Sequence, residues 1–588
     1  MNWRQQAGSA SLVVTLVVTI TTGASTQPPS DKARSDSLVA HPARARLKFG
    51  GLPELGGVAE DLWRLSQLRG AADAGFLLRA PSTMMTPLDH SEPPDILGRW
   101  ALLLPTVDFT RNTALPFSMN DGAVWAGKGS TVSVTAGVRW EWRCVQVVIM
   151  PQRIYEANRS LPFYDNLHSG LPLLLPPYRS EYSTLWNIAP NSIDTPFRFG
   201  DAALVFNDPG ESSVSLRLGN VTVGASTEHE WWGPGIQNAL LLSNNAPGVP
   251  RLLVRSAKPV HTAFGNLEFS TFLGRLDESH FFRTPAANSV PGAFERVGTR
   301  SRLLSAAALV WQPRWEPHLA VGVARAVYAP RIYRGPVLLR WFDVFANTGQ
   351  PNDRPATDTT ARLGPDQLLS LFGRWVFPAD GFEVYFEWLR ASMPVSLRDF
   401  LTDPSHGRGY TMGLQWLSSA NARGGAVRLH GEVTNLEQDP SFRYRPIGSI
   451  YTSRVVPQGY TQKGQPLGAA IGPGASSQSL AADYVGRNWA LGAFAERIRW
   501  NEDAHSLIPY PSFKGWCEND VSLLGGIRGR WVNPISAISV SLATGRRDNV
   551  FFQNFAACPL VPTDPGRVVD IRNVTLRLRL EPLVSRQR

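Results

Sequence analysis

From about residue 124 onward, apolar side chains recur at every second position, and this period of two most constrains the fold. Val132, Val134, Ala136, Val138 and Trp140 alternate with Ser133, Thr135, Gly137 and Arg139. Phe382, Val384, Phe386 and Trp388 alternate with Glu383, Tyr385 and Glu387, and Val574, Leu576, Leu578 and Leu580 alternate with Thr575, Arg577 and Arg579. Successive side chains of a strand point to opposite faces, so each run is a strand with one apolar and one polar or small face. The same alternation suits a soluble sandwich, with its apolar faces inward.

Three further features favour a membrane barrel. The runs are ~9–11 residues, the length a tilted spanning strand needs. Aromatics gather at strand ends, as at Trp140/Trp142, Trp311/Trp315, Trp375/Phe377, Trp416 and Trp531, where interfacial girdles are expected. Short turns such as that through Pro378 and Gly381 alternate with long polar connections at 389–410 and 434–479, which is the barrel habit. At ~25 residues per strand with its loop, the expected fold is an all-β, antiparallel transmembrane barrel of about 16–18 strands. No Cβ pattern of this kind is readable between Pro151 and Pro196.

The first residues read as an export signal. Arg4 precedes an apolar run from Leu12 to Ile20 and the small residues Thr22-Gly23-Ala24, a pattern too short to span a bilayer and typical of a cleaved segment, 1–24. Residues 25–123 form an expected lead-in, with the barrel at 124–588. Within the lead-in, Val58, Leu62, Leu65 and Leu68 recur at helical spacing and Gly70 supplies a stop, which predicts a helix over 54–69. From 80 to about 120 the chain reads as Pro-rich pieces. Its last residues, Glu581 to Arg588, lack a terminal aromatic.

The formal charge is +10, from 58 Lys+Arg against 48 Asp+Glu, and the cations are nearly all arginine. Arginine grips phosphate and carboxylate in a bidentate way, which on an exported chain points to acidic glycan or lipopolysaccharide rather than nucleic acid; plain solvation is the alternative. Cys144, Cys517 and Cys558 fit neither a zinc spacing nor a redox pair. Cys517 and Cys558 lie in turn-rich stretches and form either a loop disulfide or two free thiols, whereas Cys144 reads as a small apolar residue within a strand.

Catalytic signals fail. There is no nucleophile elbow, phosphate loop or zinc-protease motif. Glu383 and Glu387, four apart on one strand face, stand ~13 Å apart, against the ~5–9.5 Å of glycosidase carboxyl pairs; they are expected to pair with lumenal arginines on neighbouring strands, with Arg577 and Arg579 as candidates. Arg497 and Arg499, like Arg577 and Arg579, read as structural lumen charges, with anion binding as the alternative. Glu228-His229-Glu230, read as extended, divides its side chains between two faces and makes no shared site. No catalytic residue, metal or cofactor is assigned.

Two segments resemble the Wzi family of capsule assembly proteins. One is Trp231-Trp232-Gly233-Pro234-Gly235, followed by Leu241-Leu242-Ser243-Asn244-Asn245-Ala246 and Pro250. The other runs from Gly459 through Tyr460, Gln462, Lys463 and Gly464 to Gly468, then Ile471-Gly472-Pro473-Gly474. Tyr385-Phe386-Glu387-Trp388 and 399–413 are weaker echoes. The resemblance implies a bacterial outer-membrane barrel whose periplasmic end is closed by a small helical plug, with which the helix at 54–69 agrees, and which attaches or organises capsular polysaccharide without catalysis. Trp231 and Trp232 could be a sugar-stacking platform or could fill the lumen. Arg443, Arg445, Arg454 and Lys463, on the loop 435–478, are the expected contacts for acidic polysaccharide, in a monomer surrounded by outer-membrane lipid. A porin for anionic or sugar solutes is the alternative function, and a barrel hydrolase a third.

Overall fold

The computed structural model describes residues 52–71, 77–84, 98–161, 186, 192–282, 301–331, 335–346, 364–394, 396–507, 519–552, 570–583 and 586–587. The expected signal at 1–24, Cys517 and Cys558 lie outside them.

The alternating runs form a closed barrel of eighteen antiparallel strands. In chain order these are β1 (Arg99–Asn112), β2 (Gly129–Trp142), β3 (Val145–Ile149 continuing as Gln152–Glu156), β4 (Leu204–Asp208 continuing as Ser213–Leu218), β5 (Val221–Ser226) and β6 (Arg251–Ser256 continuing as Val260–Thr262). The middle third is β7 (Gly265–Asp277), β8 (Ser301–Pro313), β9 (Leu319–Pro330), β10 (Asp366–Phe377), β11 (Phe382–Arg390) and β12 (Arg408–Leu417). The last third is β13 (Ala426–Asn435), β14 (Ser476–Val485), β15 (Trp489–Trp500), β16 (Asp520–Val532), β17 (Ser536–Asp548) and β18 (Ile571–Pro582). Each strand pairs with its sequence neighbours, and β18 closes on β1 through Val107↔Leu580 to Asn112↔Thr575. Closure leaves no unpaired edge, which the hydrocarbon interior demands.

The barrel begins earlier than expected, at Arg99 rather than about 124. Pro105 hid β1 from the pattern. It lacks an N–H, and the register between β1 and β2 shifts between Leu103 and Thr106, so the proline sits at a bulge, where a strand tolerates it. The bulge breaks the alternation on which the sequence reading depended. Cys144 is also not inside a strand; it is exposed in the turn between β2 and β3.

The faces are sorted as the period predicts. On β11, Glu383, Tyr385 and Glu387 point into the lumen and are buried, while Val384 and Phe386 point outward and are exposed. Leu371, Leu414, Leu429, Leu480, Ile527, Val540 and Leu578 continue the outward apolar belt around the wall.

Connections alternate strictly in length. Short turns such as 143–144, 219–220, 378–381 and 533–535 lie at one end, and long loops such as 113–128, 227–250 and 436–475 at the other. Short turns face the periplasm in bacterial barrels, so β1 starts and β18 ends on the periplasmic side. At one of these turns Gly381 is required. Its φ is 63°, and a Cβ there would meet the Leu417 carbonyl oxygen at 2.2 Å. All the exposed tryptophans among the described residues lie at this end: Trp100, Trp142, Trp315, Trp375, Trp416, Trp489 and Trp531.

Candidate functional site

The lumen is filled from both ends, and the two fillings meet. From the periplasmic side comes α1 (Val58–Leu68), slightly shorter than the expected helix. Glu60 and Asp61 lie in its first turn, where negative charge suits the helix dipole, and Gly70 at φ 67° follows its end. Leu65 and Leu68 pack on Val376, Leu417 and Ala426 of the wall, while Val58 packs on Ala537 and Leu583.

The polar face of α1 docks as well. Asp61 bridges Arg428 and Arg530, each at 2.6 Å. Burial alone would push the Asp61 carboxyl up, but these two guanidinium groups outweigh it and hold the group well below the usual carboxylate range. Arg64 meets Glu383 at 2.7 Å, Arg374 donates to the same carboxylate through Nε at 2.9 Å, and Arg374 also reaches Gln67 at 2.6 Å. Glu383 therefore finds arginine partners, but they come from the adjacent strand and from the plug. Arg577 and Arg579 are elsewhere: Arg577 binds Asp121 at 2.8 Å, and Arg579 binds Glu54, Asp108 and Glu581. Arg497 donates to Gln478 and Arg499 pairs with Glu437.

From the exterior, loops 227–250 and 436–475 fold inward. Trp231-Trp232 forms a two-residue ribbon with Leu78–Arg79 of the lower filling, and Arg79 donates to the carbonyls of Gly233 and Gly235 at 3.0 and 3.1 Å. Lumenal carboxylates hold the upper loop by its backbone. Glu432 accepts from the amides of Ile236 (2.8 Å), Gln237 and Asn238 (2.8 Å). Glu387 accepts from Leu240 N at 2.9 Å and Ser370 Oγ at 2.8 Å, so its partners are an amide and a hydroxyl rather than an arginine. The glycines let the chain come this close: Gly233 has φ 113°, and a Cβ on it would lie 2.9 Å from Glu387 Oε2.

The two resembling segments meet in space. Tyr451 OH donates to Leu240 O at 2.6 Å, Ser243 Oγ donates to Gly468 O at 2.6 Å, and Asn245 Nδ2 donates to Pro466 O at 3.0 Å. Tyr451, Val456, Tyr460 and Leu467 are buried with Leu240 and Leu241 in one apolar cluster.

The predicted contact residues therefore fall into different places. Trp231 and Trp232 are buried inside the barrel, Trp231 beneath the Arg79 guanidinium and Trp232 edge-on to Phe272. Neither ring offers the open face that sugar stacking needs, so of the two readings the lumen-filling one describes them. Arg454 is 4% exposed. Arg445 is half-buried and pairs with Asp399 at 2.7 Å, and Lys463 is exposed and meets Asp208 at 3.1 Å. The backbone at Arg443 closes a short turn, Pro440–Arg443. Most of loop 436–475 is thus packed inside the barrel rather than displayed.

Glu228-His229-Glu230 is not extended strand. Each side chain has its own partner: Ser82 and Ser213 for Glu228, Glu211 for His229, and Arg251 at 2.9 Å for Glu230. Burial would lower the His229 pKa, but the Glu211 carboxylate outweighs it and the net shift is upward. Among the described residues no group of three His, Cys, Asp or Glu could hold a metal ion.

Between the fillings and the wall of β1, β2 and β13–β18 remains a cavity of about 600 Å³. Asp61, Arg64, His229, Arg428, Arg528 and Arg577 are among the groups that line it. Its carboxylates and guanidinium groups largely satisfy one another, as in Asp483 with Arg528 at 2.6 Å. Sequence reasoning missed Glu432 as the anchor of the upper loop; its one signal was an acid on the polar face of an alternating strand.

Residues 208–294 match the family model "Capsule assembly protein Wzi". No curated protein matches the sequence. Among solved structures, Wzi of Escherichia coli, described as an outer-membrane protein involved in group 1 capsule assembly and a carbohydrate-binding β-barrel, is similar in fold. Its TM-score is 0.55 at 11% identity, over 90% of this chain and 99% of that one. OprB of Pseudomonas putida gives a TM-score of 0.32 at 10% identity, covering 84% of this chain and 94% of its own. The outer-membrane protein OprD of Pseudomonas aeruginosa gives 0.35 at 9%, covering 83% and 94%. Residues 208–294 thus carry the segment that matches the Wzi capsule-assembly model, within a closed β-barrel similar in fold to the Escherichia coli protein.

Proposed function

We propose that this chain attaches or organises acidic polysaccharide at the outer surface of the cell, without catalysis and as a monomer. The observation that carries the reading is the filled lumen, in which α1 and loop 227–250 are pinned to the wall by buried carboxylates and arginines, and the Leu78–Arg79 ribbon of the lower filling meets the loop at Gly233. A wall braced this way suits a rigid platform better than a passage for solutes. The carbohydrate binding described for the Escherichia coli protein of like fold supports the same class of ligand. Arg445 and Lys463, which keep exposed surface on the outer loops, are the proposed contacts. Their present partners, Asp399 and Asp208, mark the positions where uronate carboxylates would compete. Trp231, Trp232 and Arg454 brace the interior in this reading.

The test is capsule retention. Cells lacking the chain should shed polymer that wild-type cells keep bound, while total polymer synthesis is unchanged; equal retention in both strains overturns the proposal. The porin reading predicts stable conductance steps for the full chain in planar bilayers, and the platform reading predicts none.

A further inference from the structure

The long connection between β9 and β10 contains a 3₁₀-helix, Val337–Phe345, which lies against the outside of the barrel rather than over its mouth. The residues that hold it establish this placement. Inward and outward positions alternate along the wall: Phe272, Ala306, Ala326 and Leu368 face the lumen, whereas Leu309, Val323 and Leu371 face outward. Thr271, Ser305, Arg325 and Gln367 share the outward parity, where a barrel wall normally presents apolar groups to lipid.

The helix covers this polar patch. Trp341 Nε1 donates to Thr271 Oγ1 at 2.9 Å, and Ser305 Oγ donates to Trp341 O at 2.6 Å. Arg325 donates to the carbonyls of Val344 and Ala346 at 2.7 and 2.8 Å, and its side chain also reaches Gln367. Thr271, Ala307, Arg325 and Leu369 stand in one cross-strand row. The helix is thus bonded at a defined level across neighbouring strands, and Leu273, Leu303 and Val327 are buried although they point outward.

The other side of the helix is apolar and open. In a 3₁₀-helix residues three apart eclipse one another, so Leu339, Phe342 and Phe345 form one stripe. They are 62%, 64% and 72% exposed, with Leu338 beside them at 64%. An exposed apolar row of this kind marks an interaction surface. Here it directly continues the outward belt of Leu309, Val323 and Leu371.

We propose that Val337–Phe345 is a lipid-inserted strap, whose stripe packs among the acyl chains of the outer leaflet while its other side shields the polar patch of β7–β10. Continuity with the lipid-facing belt selects acyl chains as the occupant, since the same bilayer that covers Leu371 reaches the stripe beside it.

A photo-reactive diazirine side chain at Phe342, in the full chain refolded into phosphatidylethanolamine–phosphatidylglycerol vesicles, tests this. Leu371 in the belt and Tyr444 on an outer loop calibrate the two extremes. The expected result is lipid adducts at Phe342 in a yield close to that at Leu371 and several-fold above that at Tyr444. Adducts to a second copy of the chain, or a yield no higher than at Tyr444, would overturn the proposal. A second measurement avoids labels: Leu339→Glu with Phe342→Glu should leave the barrel folded yet expose the strap to protease in vesicles, and unchanged resistance would count against insertion.

Discussion

Glu383 and Glu432 show how single carboxylates organise the interior. Glu383 is fully buried between Arg64 and Arg374, and removing one member of a buried ion cluster leaves uncompensated charge at a cost of about 3–5 kcal/mol. Glu383→Ala should therefore lower the denaturation midpoint of the refolded barrel and loosen α1, read as faster hydrogen exchange over residues 58–68. Glu432→Ala removes the acceptor of three backbone amides, each costing about 1–3 kcal/mol when left unsatisfied; its exchange signature should fall on 236–240 instead. If both variants gave the same exchange pattern, the two carboxylates would not hold separate fillings. The sequence placed Glu383 and Glu387 on a common lumenal face, and the expected arginine on a neighbouring strand is Arg374 for Glu383; Arg577 and Arg579 were the wrong candidates, and Glu387 binds an amide and a hydroxyl instead. Alternation fixes which way a side chain points, and only closure of the barrel decides which strand stands opposite.

Among elements, α1 and the outer loops differ in how they respond to pH. The outer filling rests on Asp503, which accepts from Ser449 Oγ at 2.5 Å and Gln438 N at 2.8 Å, and on Asp194, which accepts from Ser279. Burial dominates at both and pushes them up, to about 7 and about 6, from 3.8 in the free side chain. A folded pKa above the unfolded value means the stabilisation is complete below about pH 4 and is lost as pH rises through 6 to 7. Exchange protection across 436–460, corrected for intrinsic rates, should fall over that interval, and Asp503→Asn should flatten the response; a flat wild-type profile contradicts the assignment. α1 should be insensitive there, because Asp61 stays ionised throughout. The helix was legible because its apolar spacing contrasts with polar neighbours. The strap Val337–Phe345 was not, since its apolar stripe lies on the open side and it is held by three backbone carbonyls and one indole N–H. β1 was lost for the reason already given at Pro105, and loop 436–475 looked like a display surface because glycine and polar residues also suit a tightly packed lumen filling.

For the whole molecule, deleting residues 52–84 should convert a silent barrel into one with conductance steps in planar bilayers, while the strands refold. Continued silence would mean that the outer loops alone seal the lumen. The barrel class, the strand range and the girdle members Trp142, Trp315, Trp375, Trp416 and Trp531 were readable from period, length and aromatic placement, yet the sequence did not single out Trp100 and Trp489 or show that the exposed indoles belong to one end. Trp100, Trp142, Trp315, Trp375, Trp416, Trp489 and Trp531 all sit by the short turns. Indoles prefer the boundary between hydrocarbon and headgroup, so this ring fixes the depth of the barrel from the periplasmic leaflet. When the surrounding bilayer thickens or thins, the mismatch cannot be shared equally between the two rims. The indole-bearing rim stays in register, and the opposite rim, with the strap beneath it, rises or sinks relative to the cell surface.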